Sequence, residues 1–173
     1  TGTVTSGNPV VTDVYADDEM SLLKLAYSLE IKSEHPLAKA IIKYAEEKNI
    51  SSEETEDFQI LSGNGLIAII KDEKVFGGKA DFVSSYAEIT DDMKAKAEKL
   101  AEEGKTPLYF GKNNKISGII AVADTIKETS KQAVSELKNM GIKVVMLTGD
   151  NNKTAEAIAS SVDISDVVSE VLP

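Results

Sequence analysis

Apolar residues recur at helical spacing in two consecutive segments near the start of the chain. In the first segment, leucine and alanine positions between 22 and 29 follow Asp17–Asp18, and either aspartate can cap a helix. The second segment, SEHPLAKAIIKYAEEK, offers Ser33 as a plausible N-cap and Pro36 for the first turn. The spacing therefore predicts two amphipathic helices in a row, the second ending near Lys48.

Strand patterns dominate the middle of the chain. The runs 58–61, 65–71 and 74–78 are short, largely apolar and separated by turn residues, which predicts three antiparallel strands. The segment 90–104 then predicts a helix that begins at a threonine cap and stops at a glycine. Residues 106–123 predict two further strands joined by a Lys-Asn-Asn turn.

The order of elements changes after Asp124. Thr125–Glu128 has the form of a capping box and predicts a helix that ends at Gly141. The segment KVVMLTGD, residues 143–150, is a continuous apolar strand that ends in a small polar turn. Helical spacing returns in NNKTAEAIASSV, and DVVSEVL predicts a last short strand. This succession of strand, turn, helix and strand is typical of a parallel α/β unit.

The two kinds of pattern predict an α/β fold overall with an inserted module. The chain has 173 residues, of which 42% are hydrophobic, enough for one core or two small ones. Residues 14–117 are expected to form an α+β domain, an antiparallel sheet flanked by helices. Residues 1–13 and 118–173 are expected to form two pieces of a partial Rossmann-like domain.

Composition narrows the classes of function. The formal net charge of -10 argues against nucleic acid as a partner, because phosphate backbones are bound by basic surfaces. The sequence contains no cysteine, which excludes disulfides and thiolate metal sites within it. The longest near-apolar run, GIIAVA at 118–123, has the length of a strand, and no signal peptide pattern is present. Taken alone, the sequence predicts a soluble acidic protein.

Thr148-Gly149-Asp150 lies where a predicted strand gives way to a predicted helix. Ligands of open α/β sheets bind at the carboxyl ends of strands, and N–H groups at a helix start favour phosphate. Thr148 supplies a hydroxyl, Gly149 allows close approach to the backbone, and Asp150 can orient the loop or cap the next helix. The same tripeptide also fits an ordinary turn with an N-cap, so it leaves both interpretations open.

Two pairs of glycines lie on neighbouring predicted strands, Gly63 with Gly65 and Gly77 with Gly78. Hairpin turns and a bulge explain such glycines. A sheet face on which a flat ring or a phosphate rests against bare backbone explains them as well. By local pattern His35 is an exposed first-turn residue, yet an imidazole and a carboxylate near these glycines could both hydrogen-bond an adenine-like edge.

Together these segments resemble the cytoplasmic ATP-binding region of heavy-metal P-type ATPases, the copper- and zinc-exporting pumps. The family's Ser-Glu-His-Pro signature, specific for the heavy-metal branch, is intact, and the other motifs occur in family order across essentially the whole chain. The matching positions are Thr1-Gly2-Thr3, Glu30, Ser33-Glu34-His35-Pro36, Gly63, Gly65, Leu66, Asp124 to Lys127 and Thr148-Gly149-Asp150.

The resemblance implies that the chain binds ATP, with Glu30 and His35 placing the adenine. The implied nucleotide-binding residues are Glu30, His35, Gly63, Gly65, Leu66, Gly77 and Gly78. The implied phosphate site, in a domain of the haloacid dehalogenase type, consists of Thr1, Thr3, Thr148, Gly149 and Asp150. No metal ligand is implied within this sequence, although the complete protein would use Mg²⁺.

The same resemblance implies that the chain is part of a membrane pump that exports a heavy-metal ion, with copper as the favoured ion. The chain would lie on the cytoplasmic side, and membrane contact would come only from spans outside it. The aspartate that accepts the γ-phosphate would precede Thr1, and the magnesium motif would follow Pro173. The chain alone is therefore expected to bind nucleotide without completing a catalytic cycle.

One departure from the family and two alternatives accompany this interpretation. The family usually has Gly-Asn where this sequence has Gly77-Gly78 followed by Lys79, which removes a polar contact and suggests Lys79 as a phosphate contact.

A phosphatase of the haloacid dehalogenase type with a large cap would share the Thr-Gly-Asp turn but would not require Ser-Glu-His-Pro. A non-catalytic nucleotide-binding module would bind ATP without turning it over.

Overall fold

The computed structural model describes residues 2–61 and 65–171. Eight strands and six helices are seen in these residues. In chain order they are β1 (Val10–Ala16), α1 (Glu19–Glu30), α2 (Pro36–Glu47), β2 (Glu56–Leu61), β3 (Gly65–Ile70), β4 (Glu73–Gly78), α3 (Ala80–Val83), α4 (Asp91–Glu102), β5 (Thr106–Lys112), β6 (Lys115–Ala123), α5 (Glu128–Asn139), β7 (Val145–Leu147), α6 (Asn152–Ser161) and β8 (Asp166–Val168).

The larger region, residues 10–123, is an antiparallel sheet with the strand order β1-β6-β5-β4-β3-β2 and helices on both faces. Alternate residues of β5 point to opposite faces, so Phe110 joins the core beneath α1 and α2 and Tyr109 joins the core beneath α3 and α4. The predicted antiparallel sheet flanked by helices is confirmed. Because β1 and β6 belong to this sheet over their full lengths, it extends past residues 14 and 117, and the division into domains stays a prediction.

The smaller region consists of α5, β7, α6 and β8 with the segment 2–9. Strands β7 and β8 pair in parallel, with Val145 opposite Asp166 and Leu147 opposite Val168. The predicted parallel unit is therefore present, although its first strand is shorter than expected. Its buried core consists of Val134, Met146, Ala159, Val162 and Ile164.

The segment 2–9 is hydrogen-bonded to Asp124, the residue that follows β6. The Asp124 carboxylate accepts hydrogen bonds from Ser6 Oγ at 2.8 Å and from the Gly7 N–H at 3.0 Å. Thr5 and Ile126 form an antiparallel bridge beside these bonds. The contacts bring the start of the chain into the smaller region, next to Thr148-Gly149-Asp150, the predicted phosphate site, which is called the phosphate turn below.

Two predicted helix caps are correct. Asp18 accepts a hydrogen bond from the Ser21 N–H at 3.1 Å and caps α1. Thr90 accepts one from the Met93 N–H at 3.3 Å and caps α4.

Two other predicted caps are wrong. Ser33 does not cap α2, because His35 occupies the N-cap position. The capping box at Thr125–Glu128 does not form, and α5 begins at Glu128 without a side-chain cap. The preceding backbone is extended instead, because Lys127 N–H donates to the Val4 carbonyl at 3.1 Å. Pairing with a distant segment has overridden a local helix-start signal.

Candidate nucleotide and phosphate site

Glu30 ends α1 and is buried, with 7% of its surface exposed. Loss of solvent raises the pKa of its carboxyl to about 7, and a hydrogen bond from Ser33 acts in the opposite direction. The preceding residue, Leu29, lies over β4, where a Cβ built on Gly77 would come within 3.0 Å of Leu29 Cδ2. Glu30 is thus held near the end of β4, and close to neutral pH its carboxyl can either donate or accept a hydrogen bond.

His35 caps α2 with its side chain. Its Nδ1 accepts a hydrogen bond from the Leu37 N–H at 3.2 Å, so Nδ1 carries no proton and the neutral ring bears its proton on Nε2. Although the residue as a whole is exposed, loss of solvent around the imidazole lowers the pKa of His35. The Lys79 ammonium lowers this pKa further, and the Asp150 carboxylate acts in the opposite direction. His35 therefore presents a neutral Nε2–H donor close to both of these groups.

The glycine positions are brought together by the pairing of β3 and β4. Gly65 lies opposite Gly78, and Leu66 lies opposite Gly77. Leu66 is buried in the core between the sheet and the α1–α2 pair, where it fixes the strand by packing. Gly63, also predicted to bind nucleotide, lies outside the described residues.

Packing inside the larger region leaves no room for a side chain at two of these glycines. A Cβ on Gly65 would overlap the ring of Phe82, and a Cβ on Gly77 would lie 2.5 Å from Phe110 Cδ1. Phe82 and Phe110 belong to cores on opposite faces of the sheet. Gly65 and Gly77 therefore belong to opposite faces of the sheet and do not share one bare face.

Lys79 follows the glycine pair and joins the two regions. Its Nζ donates a hydrogen bond to the carbonyl oxygen of Gly149 in the phosphate turn. The strand end at Gly78 therefore places an ammonium group beside Thr148-Gly149-Asp150. The sequence suggested Lys79 as a phosphate contact only because it follows the glycine pair, and its position at the turn came from the tertiary structure.

The phosphate turn is closed by its own side chains. Thr148 Oγ1 donates to Asp150 Oδ2 at 2.8 Å, and the Asp150 N–H donates to Thr148 Oγ1 at 3.2 Å. Asn151, not Asp150, caps α6, since Asn151 Oδ1 accepts from the Thr154 N–H at 3.0 Å. Of the two roles open to Asp150 from the sequence, the structure therefore shows the one that orients the loop.

Thr3 lies at the phosphate turn even though it is far from it in the sequence. It lines a cavity of about 100 Å³ together with Thr148, Asp150 and Asp124. The cavity has room for a few water molecules and is too small for a nucleotide. Thr1, the other predicted member of the phosphate site, lies outside the described residues.

A larger cavity of about 490 Å³ lies on the α3–α4 side of the sheet, between the two regions. Lys79 and Gly149 line it, together with Lys94, Lys153 and Tyr109. Its size is within the range of small-molecule sites. None of the described nucleotide-binding residues predicted from the sequence lines this cavity.

Among the described residues, neither a cluster of metal ligands nor a membrane-spanning helix is present. In residues 2–61 and 65–171 no group of three or more His, Asp or Glu side chains could hold a metal ion. No helix within the same ranges is long and apolar enough to cross a membrane.

Comparison with known proteins identifies the class to which this fold and turn belong. The chain belongs to the haloacid dehalogenase-like hydrolase family, whose family model matches residues 1–172. It is 43% identical over 174 residues to the copper-exporting P-type ATPase of Staphylococcus epidermidis, a match that covers 100% of this chain and 22% of that protein. The chain therefore spans about a fifth of the length of this relative.

Two solved structures agree with this relationship. The catalytic domain of the CPx-ATPase CopB-B, studied for its conformational changes upon nucleotide binding, superposes with a TM-score of 0.76 at 29% identity, covering 99% of this chain and 58% of that one. A zinc-transporting PIB-type ATPase in the E2.Pi state gives 0.69 at 33% identity, covering 100% of this chain and 28% of that one. The resemblance to heavy-metal P-type ATPases is confirmed.

Proposed function

We propose that this chain is the ATP-binding cytoplasmic part of a copper-exporting P-type ATPase that couples ATP hydrolysis to export through an aspartyl phosphate. The relative from Staphylococcus epidermidis is named a copper-exporting ATPase, and the CopB-B structure concerns nucleotide binding. ATP and the exported metal ion are the proposed partners, and the cytoplasmic side of a membrane is the proposed location.

The observation that carries this proposal is the position of the β4 end. Gly77 packs under the residue that precedes Glu30, and Lys79 contacts the carbonyl of Gly149. His35 lies close enough to Lys79 and Asp150 for both charges to shift its pKa. One strand end therefore lies between the proposed adenine site and the proposed phosphate turn, as a nucleotide that reaches from one to the other requires.

The hydrogen-bonding groups at this strand end suit adenine. The His35 Nε2–H is a donor for a ring nitrogen, and the Glu30 carboxyl can accept from the exocyclic amino group. Guanine carries a carbonyl oxygen in place of that amino group, so the ionised Glu30 carboxylate would repel it, and we expect the preference for adenine above pH 7. Lys79 provides a positive charge for the phosphates at the other end.

Phosphoryl transfer needs more than these residues provide. Mg²⁺ neutralises the phosphate charge in such reactions, and an aspartate accepts the phosphoryl group. In the family that the chain resembles, that aspartate precedes the Thr-Gly-Thr segment and is not one of these 173 residues. We therefore propose that these 173 residues alone bind nucleotide but are not phosphorylated.

Isothermal titration of the chain with ATP and with GTP tests the proposal. ATP should bind with modest affinity and without a strict need for Mg²⁺, and GTP should bind more weakly. Equal binding of the two nucleotides, or none of either, would contradict the adenine site. Turnover of p-nitrophenyl phosphate by the same chain would instead favour the capped phosphatase.

Substitutions at His35 separate binding from helix capping. His35→Ala should lose both the side-chain cap of α2, which lowers the melting temperature, and the contact with adenine. His35→Asn keeps a good cap but cannot place a donor where Nε2–H lies, so it should weaken ATP binding at nearly unchanged melting temperature. Unchanged ATP affinity in His35→Asn would show that His35 serves only as a cap.

A further inference from the structure

The loop between α4 and β5 docks on the start of α6. Thr154 Oγ1 donates a hydrogen bond to the Lys105 carbonyl at 2.7 Å, and Thr154 is 0% exposed. Gly104 has a φ of 76°, and a Cβ built there would lie 3.7 Å from Ile158 Cγ1, in van der Waals contact with α6. The start of β5 is therefore fixed against the smaller region.

Thr106, the first residue of β5, directs its hydroxyl at the phosphate turn from this docked position. Its Oγ1 donates to Asp150 Oδ1 at 3.4 Å, and the residue is 6% exposed. Burying a hydroxyl is unfavourable unless it is hydrogen-bonded, and a valine would fill the same volume without one. The contact with Asp150 therefore satisfies the buried hydroxyl at position 106.

The Asp150 carboxylate is held from both regions of the molecule. Its Oδ2 accepts from Thr148 Oγ1 within the turn, at 2.8 Å. Its Oδ1 accepts from Thr106 in the larger region, at a separation that is long for a hydroxyl and a carboxylate. A phosphoryl group in the turn would compete with Asp150 for the single proton on Thr148 Oγ1.

We propose that Thr106 is a positioning residue for the phosphate turn. When the Thr148 hydroxyl rotates onto a phosphoryl oxygen, Thr106 remains as the donor that keeps the Asp150 carboxylate in place, and its bond to Oδ1 shortens. Because Thr106 begins a strand of the larger region, it also links the geometry of the turn to the docking of the two regions. The inference rests on the proposed function, in which this turn holds the phosphoryl group.

The test compares Thr106→Val, Thr106→Ser and a matched control, Thr55→Val. Thr55 is buried to the same extent, at 6% exposure, and its hydroxyl has no hydrogen-bond partner in the part of the chain that the structure describes. The variants are made in the complete ATPase that contains this chain. The rate of acid-stable phosphoenzyme formation from ATP and the dissociation constant of ATP are measured separately.

Thr106→Val should slow phosphoenzyme formation about 5-fold, the effect of losing one hydrogen bond, while ATP affinity stays unchanged. Thr106→Ser should restore the rate, and Thr55→Val should leave it unaltered. Amide hydrogen exchange at 149–150 in the 173-residue chain should be faster in Thr106→Val than in Thr55→Val.

Two outcomes overturn the inference. In one, wild-type and Thr106→Val proteins form phosphoenzyme at the same rate. In the other, Thr106→Val and Thr106→Ser lose rate and thermal stability together, which would assign Thr106 to packing alone. If the wild-type ATPase forms no phosphoenzyme at all, the proposed function fails before Thr106 is tested.

Discussion

The larger and smaller regions differ in how completely the apolar side chains of their sheets are buried. The six-stranded sheet has helices on both faces, and Phe76, Phe110 and Ile119 within it are 0% exposed. In the two-stranded sheet of the smaller region Leu147 is 68% exposed, and Met140 at the end of α5 is 76% exposed. Parallel strands are normally buried on both faces. The smaller region therefore has the thinner core, and we expect it to open more readily than the larger one.

The largest expected effect comes from the core of the larger region. Phe110→Ala removes a fully buried ring that packs against Gly77 and should destabilise the protein by about 3–5 kcal/mol. If the smaller region depends on the larger, both should unfold in one transition at lower urea concentration. Circular dichroism during urea unfolding measures this shift.

A pair of matched valine substitutions tests whether the larger region depends on the smaller one. Val122 and Val162 are both 0% exposed, one in each region. Val122→Ala should shift the transition of the whole molecule, whereas Val162→Ala should speed hydrogen exchange in the smaller region and leave the six-stranded sheet protected. Loss of protection in the large sheet on Val162→Ala would show that the two regions are one cooperative unit.

The second prediction concerns the buried carboxyl of the larger region. The pKa of Glu30 is raised from 4.5 to about 7, so between these pH values the folded state holds a proton that the unfolded state releases. Stability should therefore fall as pH rises from about 4.5 through 7 and then level off. Glu30→Gln removes this penalty, which is on the order of 3 kcal/mol above pH 7 and vanishes below pH 4.5.

Melting temperatures of wild type and Glu30→Gln from pH 4 to 8.5 measure this difference. His35, whose lowered pKa acts with the opposite sign, is present in both proteins and cancels in the comparison. Glu34→Gln, at an exposed glutamate four residues further along the chain, is the control for the substitution itself. A constant difference between wild type and Glu30→Gln at every pH would disprove the titration.

The smallest effect is expected at the link between the regions. Lys79→Gln removes the ammonium that contacts the Gly149 carbonyl and should reduce stability by only about 0.5–1 kcal/mol, because the contact is partly exposed. It should nevertheless broaden the distribution of distances between the two regions in a fluorescence energy-transfer measurement. It should also weaken ATP binding more than adenosine binding, since adenosine has no phosphate.

Lys94→Gln is the matched control for this link. Lys94 lines the same larger cavity but pairs with Asp91 on its own helix, at 3.2 Å. Its loss should change neither the distance distribution nor the preference for ATP over adenosine. A distribution equally narrow in wild type and Lys79→Gln would show that Lys79 does not hold the regions together.

The sequence by itself determined the kinds of element and their grouping. Period-two and helical spacings are local properties, so they identified the antiparallel sheet, its helices and the later parallel unit. The Asp18 and Thr90 caps were predictable for the same reason, since each bond closes within three residues. The Ser-Glu-His-Pro and Thr-Gly-Asp motifs identified the family because they depend on residue order alone.

Only the tertiary structure decided how these residues act on one another. The bonds from Lys79 to Gly149 and from Thr106 to Asp150 join residues 70 and 44 positions apart, which no local spacing encodes. The pKa of Glu30 is raised because the end of α1 is buried in the folded protein. The predicted cap at Thr125 fails because this part of the backbone pairs with the distant segment 4–6. Local patterns determine which elements form, whereas solvent exclusion and contacts between distant residues depend on how those elements dock.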